Sequence, residues 1–291
     1  MKNLLIKLFA VVFTLVFTVS VSADNQKPDL WKVEKDGVAS YLFGSIHAGS
    51  KDMYPMSPMV MDAYNKTSSL VVEVDLASVD QAQMAQKFQK YGMNPSTPIE
   101  ARLSPETVKT YKESCSTQSL PCQQFAPFKP WALSTVVLMM KMQQLGYTPD
   151  LGIDMHFLKL AHSSNKNIIN LETVDSQLKL LSSFNQAQEE KMLVDSLKAD
   201  KKQIDELFNA WKNGDDNVLM DYYTKGAEIP EIKDMYVKML DVRNIQMVAS
   251  LSNFLDKKQS LFVVVGAMHM IGEKGIVNLL REKDYSVIQI Q

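Results

Sequence analysis

Two apolar runs near opposite ends of the chain, "ASYLFGSIH" at residues 39–47 and "LFVVVGAMH" at residues 261–269, finish in the same way: glycine, two residues, histidine. Their β-branched and aromatic content reads as strand. Two strands that share such an ending, with their histidines at positions 47 and 269, use it best if they lie in one sheet and deliver both imidazoles to one edge. The chain between them must then leave that sheet and return to it.

The other strand signals are few. Trp31–Glu34, the turn residues Lys35-Asp36-Gly37 and Ala39–Ile46 predict a hairpin, and Leu70–Val74, Asn167–Leu171 and Ser286–Ile290 are further short runs. Ser104-Pro105 marks a helix start as cap and first-turn proline. Trp131–Leu145 is an almost wholly apolar helix ahead of Gly146, expected to be buried. From Asn185 to Lys258 the pattern is amphipathic helix, broken at Gly214 and at Gly226–Pro230, with no strand signal. The expected fold class is therefore α/β (α+β), a small central mixed sheet with a large helical insertion. A loose internal echo divides it into two pseudo-repeated halves, each giving a Gly-x-x-His histidine and a strand-end glutamate: His47 with Glu73, and Glu172 with His269.

In open α/β sheets, ligands bind at the carboxyl ends of the strands, where side chains leaving the sheet converge. A glycine at the exit lets the backbone turn or approach a neighbour closely, which aims the following histidine over the sheet edge. Two imidazoles with one or two carboxylates, and positions left open for water, suit a divalent transition metal such as Zn, Mn, Co or Fe. The predicted ligands are His47, His269 and Glu73, with Glu73 or Glu172 as ligand or base and Asp75 and Asp175 as the neighbouring substitutes. Glu172 is also placed to cap a helix starting at Thr173.

His156 shares a helix face with Ile153, Phe157 and Leu160, and His162 ends that helix, so both read as structural. Neither HExxH nor GxSxG occurs. Arg243 interrupts the apolar stripe Tyr236, Leu240, Met247, Leu251 and Phe254. A buried arginine needs a carboxylate or an anionic ligand. It either ties its helix to the sheet or, with Asn244 beside it, orients an active-site glutamate or a substrate carbonyl.

Lys2 and Lys7, the apolar run Leu8–Val21 and the small-residue exit Val21-Ser22-Ala23 have the layout of a signal peptide spanning residues 1–23. The apolar core is shorter than the roughly 20 residues of a spanning helix, so no stable membrane insertion is expected after cleavage. Residues 24–291 then form a single domain in the periplasm or outside the cell. Loss of Lys2 and Lys7 takes the formal charge from −2 to −4, which leaves nothing basic to neutralise nucleic-acid phosphates. Cys115 and Cys122, alone in the chain and separated by six residues, predict a local structural disulfide in an oxidising compartment.

"FGSIH", "VVEVD", "KPWAL", "GIDMHFL", "LETVDSQL", "VRN" and "VVGAMH", in that order, resemble the TraB/GumN family, which includes the Tiki-type proteases. The resemblance runs from about Trp31 to the C-terminus. It implies a metal-dependent peptidase favouring manganese or cobalt, within a superfamily that also holds haem-binding and erythromycin-esterase-like proteins. It places the two family histidines on His47 and His269, the acids on Glu73 and Glu172, and the Arg-Asn pair on Arg243 and Asn244.

The expected function is a metal-dependent hydrolase of a peptide or small-molecule substrate, using Mn, Co or Zn. There, water gives its proton to a glutamate and Arg243 stabilises the oxyanion. The alternatives are a non-catalytic haem- or metal-binding accessory protein, suggested by Met53, Met56, Met59, Met61, Met268 and Met270 around both histidines, and a metal-free esterase-like hydrolase.

Overall fold

The computed structural model describes residues 27–291. The predicted signal segment, residues 1–23, lies outside them. Six strands, β1 (Leu30–Lys35), β2 (Val38–Ser45), β3 (Ser69–Val72), β4 (Asn167–Asn170), β5 (Leu261–Gly266) and β6 (Ser286–Gln289), form one mixed sheet in the order β4-β3-β5-β2-β1-β6. β4, β3, β5 and β2 are mutually parallel, whereas β1 pairs antiparallel with both β2 and β6. The predicted hairpin is β1–β2, closed by Asp36 and Gly37, both at positive φ, the backbone that a two-residue hairpin loop requires.

The parallel strands read as unbroken apolar runs because helices cover both faces of the sheet. On one face Leu42, Val71, Leu261, Val263 and Val265 meet Met247, Val248, Leu251 and Leu255 of the helix Val242–Leu255. On the other, Phe43, Leu70, Val72, Phe262 and Val264 meet Phe157 of the helix Ile153–Ser164 and Phe208 and Trp211 of the helix Lys201–Asn213. Alternate residues of β5 thus serve opposite layers, as the two-residue period of a strand demands. The indole N–H of Trp211 donates to the Gly44 carbonyl at 2.8 Å, fixing β2 just before its exit.

The two sequence halves do not sit side by side: β4 and β5 of the later half interleave with β3 and β2 of the earlier one. The expected helical insertion is present as Gln186–Lys198, Lys201–Asn213, Asp216–Ala227, Pro230–Tyr236, a π-turn at Val237–Asp241, and Val242–Leu255. Ser104 caps the helix Pro105–Thr117 as predicted, accepting from the Thr107 N–H.

The apolar helix, Pro130–Gln144, departs from expectation. It is buried at Pro130–Ser134 and Val137 but half-buried or exposed beyond them, because it packs in an outer layer against Gln186–Lys198, whose end Lys141 holds through the Leu197 and Ala199 carbonyls, and presents Gln143 and Gln144 to solvent. Cys115 and Cys122 form the predicted disulfide, Cα–Cα 5.9 Å, which ties the last turn of Pro105–Thr117 to the next turn of chain. Among the described residues no helix is long and apolar enough to cross a membrane.

Candidate functional site

Each of the four parallel strands delivers one of the predicted side chains to the same edge. His47 follows β2, His269 follows β5, Glu73 follows β3 and Glu172 follows β4. The order in the sheet is therefore Glu172, Glu73, His269, His47. Ser45 lies opposite Gly266 across the β2–β5 pair, which puts the two Gly-x-x-His exits side by side. The Glu172 N–H donates to the Glu73 carbonyl at 2.8 Å and holds the two acidic exits together.

The two glycines of the repeated motif do different work. A Cβ on Gly44 would stand 3.0 Å from both Cα and Cβ of Ala267, so its absence lets β2 and the turn after β5 close on each other. A Cβ on Gly266 would instead stand in the cleft, 3.4 Å from Glu73 Oε1, 3.5 Å from His269 Cδ2 and 3.7 Å from His47 Nε2. Both imidazoles and the carboxylate thus converge on one point.

Every polar group around that point is oriented. Glu73 Oε1 accepts from the Gly266 N–H at 2.9 Å and lies 3.9 Å from His269 Nε2. Glu73 Oε2 accepts from Arg243 Nη2 at 2.7 Å and from Gln177 Nε2 at 2.9 Å. Arg243 grips Glu172 in a two-point fork, Nε to Oε1 and Nη2 to Oε2, each 2.7 Å, the strong geometry for a guanidinium and a carboxylate. Its Nη1 donates to the Met239 carbonyl at 3.0 Å. That carbonyl lies in the π-turn Val237–Asp241, a local widening of the helix of the kind that recurs at functional sites.

The two readings of Arg243 describe one arrangement, since the ion pairs that tie its helix to the sheet are also what orient Glu73 and Glu172. Thr173, not Glu172, caps the helix Val174–Leu181, accepting from the Ser176 N–H, which leaves Glu172 to Arg243 and Gln177. Asn244 is buried and bridges His269 Nδ1 (2.6 Å) and the Lys274 carbonyl (2.8 Å).

Sequence reasoning missed Asp154, Ser45 and Gln177. Asp154 Oδ2 lies 2.9 Å from His47 Nδ1, while its Oδ1 accepts from Ser45 Oγ at 2.6 Å. Gly152 makes this possible: a Cβ there would stand 2.4 Å from the His47 carbonyl, so only glycine lets the helix Ile153–Ser164 start this close, with the Ile153 N–H on the Ile46 carbonyl at 3.0 Å. The acid in "GIDMHFL" was a visible signal, but its partner was not. Gln177, within "LETVDSQL", bonds both glutamates. The substitutes lie elsewhere: Asp75 pairs with His162 at 2.9 Å, and Asp175 pairs with Lys87 and Tyr91. Met53, Met56 and Met270 are buried in the two apolar layers.

Protonation follows from these contacts. The Asp154 carboxylate raises the His47 imidazole well above its ordinary range, although with 66% of that side chain exposed, solvent screening weakens the effect. Burial pulls His269 down to about 4 and so keeps it neutral. Burial alone would raise Glu73, but the charges of His47, His269 and Arg243 outweigh it and hold the carboxyl at about 2.

A divalent cation fits this donor set on three counts. Each Nδ1 faces an acceptor, Asp154 or Asn244, and with its proton there leaves the Nε2 lone pair free, the usual outer support of a metal-binding histidine. Two donors about 2.1 Å from one ion stand at most about 4.2 Å apart, which the 3.9 Å between His269 Nε2 and Glu73 Oε1 satisfies. With neutral imidazoles, the carboxylates of Glu73, Glu172 and Asp154 against Arg243 leave two negative charges for a dication to offset. Among the described residues, no group of three or more His, Cys, Asp or Glu side chains is arranged to hold a metal ion as it stands.

A mixed sheet whose parallel strands set two histidines and two glutamates along one carboxyl edge, with an arginine reaching both glutamates from the helix Val242–Leu255, defines the class of protein. The chain belongs to the TraB/PrgY/gumN family, whose profile matches residues 29–289. It is 23% identical over 254 residues to the uncharacterized protein YbaP of Shigella flexneri, covering 83% of this chain and 88% of that one. It is 22% identical over 253 residues to YbaP of Escherichia coli K12, covering 83% and 87%. No solved structure matches.

Proposed function

We propose that the protein is a metal-dependent hydrolase acting on peptide bonds outside the cytoplasm. The observation that carries this reading is the convergence of His47 Nε2, the His269 ring and Glu73 Oε1 on the space in front of Gly266. The family supports it by resemblance to its Tiki-type members, and the signal-like leader and the disulfide support export to the periplasm or the medium.

His47 and His269 would hold Mn, Co or Zn through Nε2. Such an ion supplies an acidified water and Lewis-acid polarisation of a carbonyl oxygen. Glu73 presents Oε1 either as the third ligand or as acceptor of the water's proton. Arg243 and Gln177 fix Glu73 in that pose, and Arg243 already commits four N–H bonds to protein acceptors, so its first role is orientation. Asn244 does the same for His269.

Protein stripped with a chelator and reloaded with Mn, Co or Zn is expected to recover cleavage of a peptide library. Recovery with none of the three would refute the proposal. Glu73→Gln should abolish cleavage in either role, and the metal affinity of that variant separates them: affinity is lost if Glu73 is a ligand and kept if it is the base.

The pairing of His47 with Asp154 favours a second reading, a hydrolase in which an oriented imidazole acts as base without metal. Ester hydrolysis that persists after the metal has been removed would establish it.

A further inference from the structure

Asp154 belongs to neither Gly-x-x-His turn, yet among the described residues it is the hydrogen-bond partner of the His47 ring, 2.9 Å from Nδ1. We propose that Asp154, anchored by Ser45, is a positioning residue that aims His47 Nε2 into the cleft; this rests on the reading that the cleft takes a divalent cation.

The two imidazoles stand on different footings. His269 is enclosed, with 5% of its side chain exposed, so packing as well as Asn244 fixes its ring. His47 has 66% exposed, and an exposed side chain keeps rotamer freedom that must be given up when it binds anything. Among the described residues its hydrogen-bond partner is Asp154. The carboxylate can restrain it because its own position is settled twice: by the start of the helix Ile153–Ser164, docked through the Ile153 N–H on the Ile46 carbonyl, and by Ser45 Oγ on Oδ1. Only 15% of the Asp154 side chain is exposed. With Oδ2 as acceptor, His47 must carry its proton on Nδ1, which directs the Nε2 lone pair outward. A carboxylate in this place also makes the imidazole a better donor, and removal of such a partner typically costs ten- to a hundred-fold in metal affinity.

Asp154 also sits in the first turn of its helix, where an acid favours the helix dipole, so lost stability alone would not distinguish positioning from a structural role. A double-mutant cycle does. Zn²⁺ and Co²⁺ are titrated into chelator-stripped protein, with the visible Co²⁺ spectrum reporting coordination, for wild type, Asp154→Asn, His47→Ala and the double variant. Asp154→Asn is expected to lower affinity about ten- to a hundred-fold and to alter the Co²⁺ spectrum, and to have no further effect once His47 is gone. Affinity equal to wild type, or the same loss in the His47→Ala background, overturns the proposal. Failure of the wild type to bind either ion overturns the cation reading itself, and is seen before any variant is made. Should Asp154→Asn not fold, Asp154→Glu, which keeps the charge and displaces the oxygen, replaces it, and unchanged affinity again overturns the proposal.

Discussion

The turns that carry His47 and His269 share a four-residue pattern and differ in nearly everything else. His269 is buried, bonded to a neutral amide and drawn down to about 4, whereas His47 is open to solvent, bonded to a carboxylate and raised. Gly44 permits close packing between the two turns, whereas Gly266 leaves the cleft open. The common string specifies an exit from a strand. Burial, partner and charge come from the elements packed against that exit.

The largest effect should erase the difference. On the proposed function, His47→Ala and His269→Ala each abolish metal-dependent cleavage, since each removes one of the two imidazole donors. Denaturant unfolding then restores it: His269→Ala leaves buried Asn244 Oδ1 without its donor, at about 1–3 kcal/mol, while His47→Ala at an exposed site stays within about 0.5 kcal/mol. Equal destabilisation by both would break the comparison.

The pH dependence of stability in metal-free protein tests the opposed charges. His269 titrates at about 4 when folded against 6.5 ordinarily, so the unfolded chain binds the proton more readily. Its contribution is therefore present above pH 6.5 and lost as pH falls toward 4, by about 3 kcal/mol at roughly 1.4 kcal/mol per unit. His47 has the reverse sign: its raised pKa gives stability that is present below 6.5 and lost as pH rises above it, by a smaller amount because solvent screens the pair. His269→Ala should flatten the acid limb and His47→Ala the alkaline one.

The two glycines divide in the same way, one by stability and the other by binding. Gly44→Ala forces a methyl against Ala267 and should cost about 1–3 kcal/mol, as overpacking does. Gly266→Ala meets only ordinary contact distances and should stay within about 0.5 kcal/mol, yet its methyl occupies the point of convergence and should lower Zn²⁺ affinity at least about tenfold. Unchanged affinity would show that the ion, if bound, lies elsewhere.

Much of this was legible in the chain. All six strands lie where apolar, β-branched runs between turn residues put them, and Ser104-Pro105 and Gly214 mark helix ends by local chemistry alone. His47, His269, Glu73 and Glu172 could be selected because each ends such a run. Asp154 and Gln177 could not, because nothing in their own neighbourhoods indicates which strand end they meet. The outer half of Pro130–Gln144 was misjudged for a related reason: apolar content shows that a helix has a face to bury, not how many layers cover it.

The sequence by itself determined the strands, the helical stretch between them, the disulfide and the four residues brought to the sheet edge, because these follow from backbone preference, side-chain period and short spacing. Only the tertiary structure decided the strand order that interleaves the two halves, the contacts by which Arg243 holds two glutamates, and the partners that shift one histidine's pKa up and the other's down. Those depend on contacts between segments separated in the chain, by 107 residues for Asp154 with His47 and 170 for Arg243 with Glu73, where electrostatics act through distance in space and leave no period in the sequence.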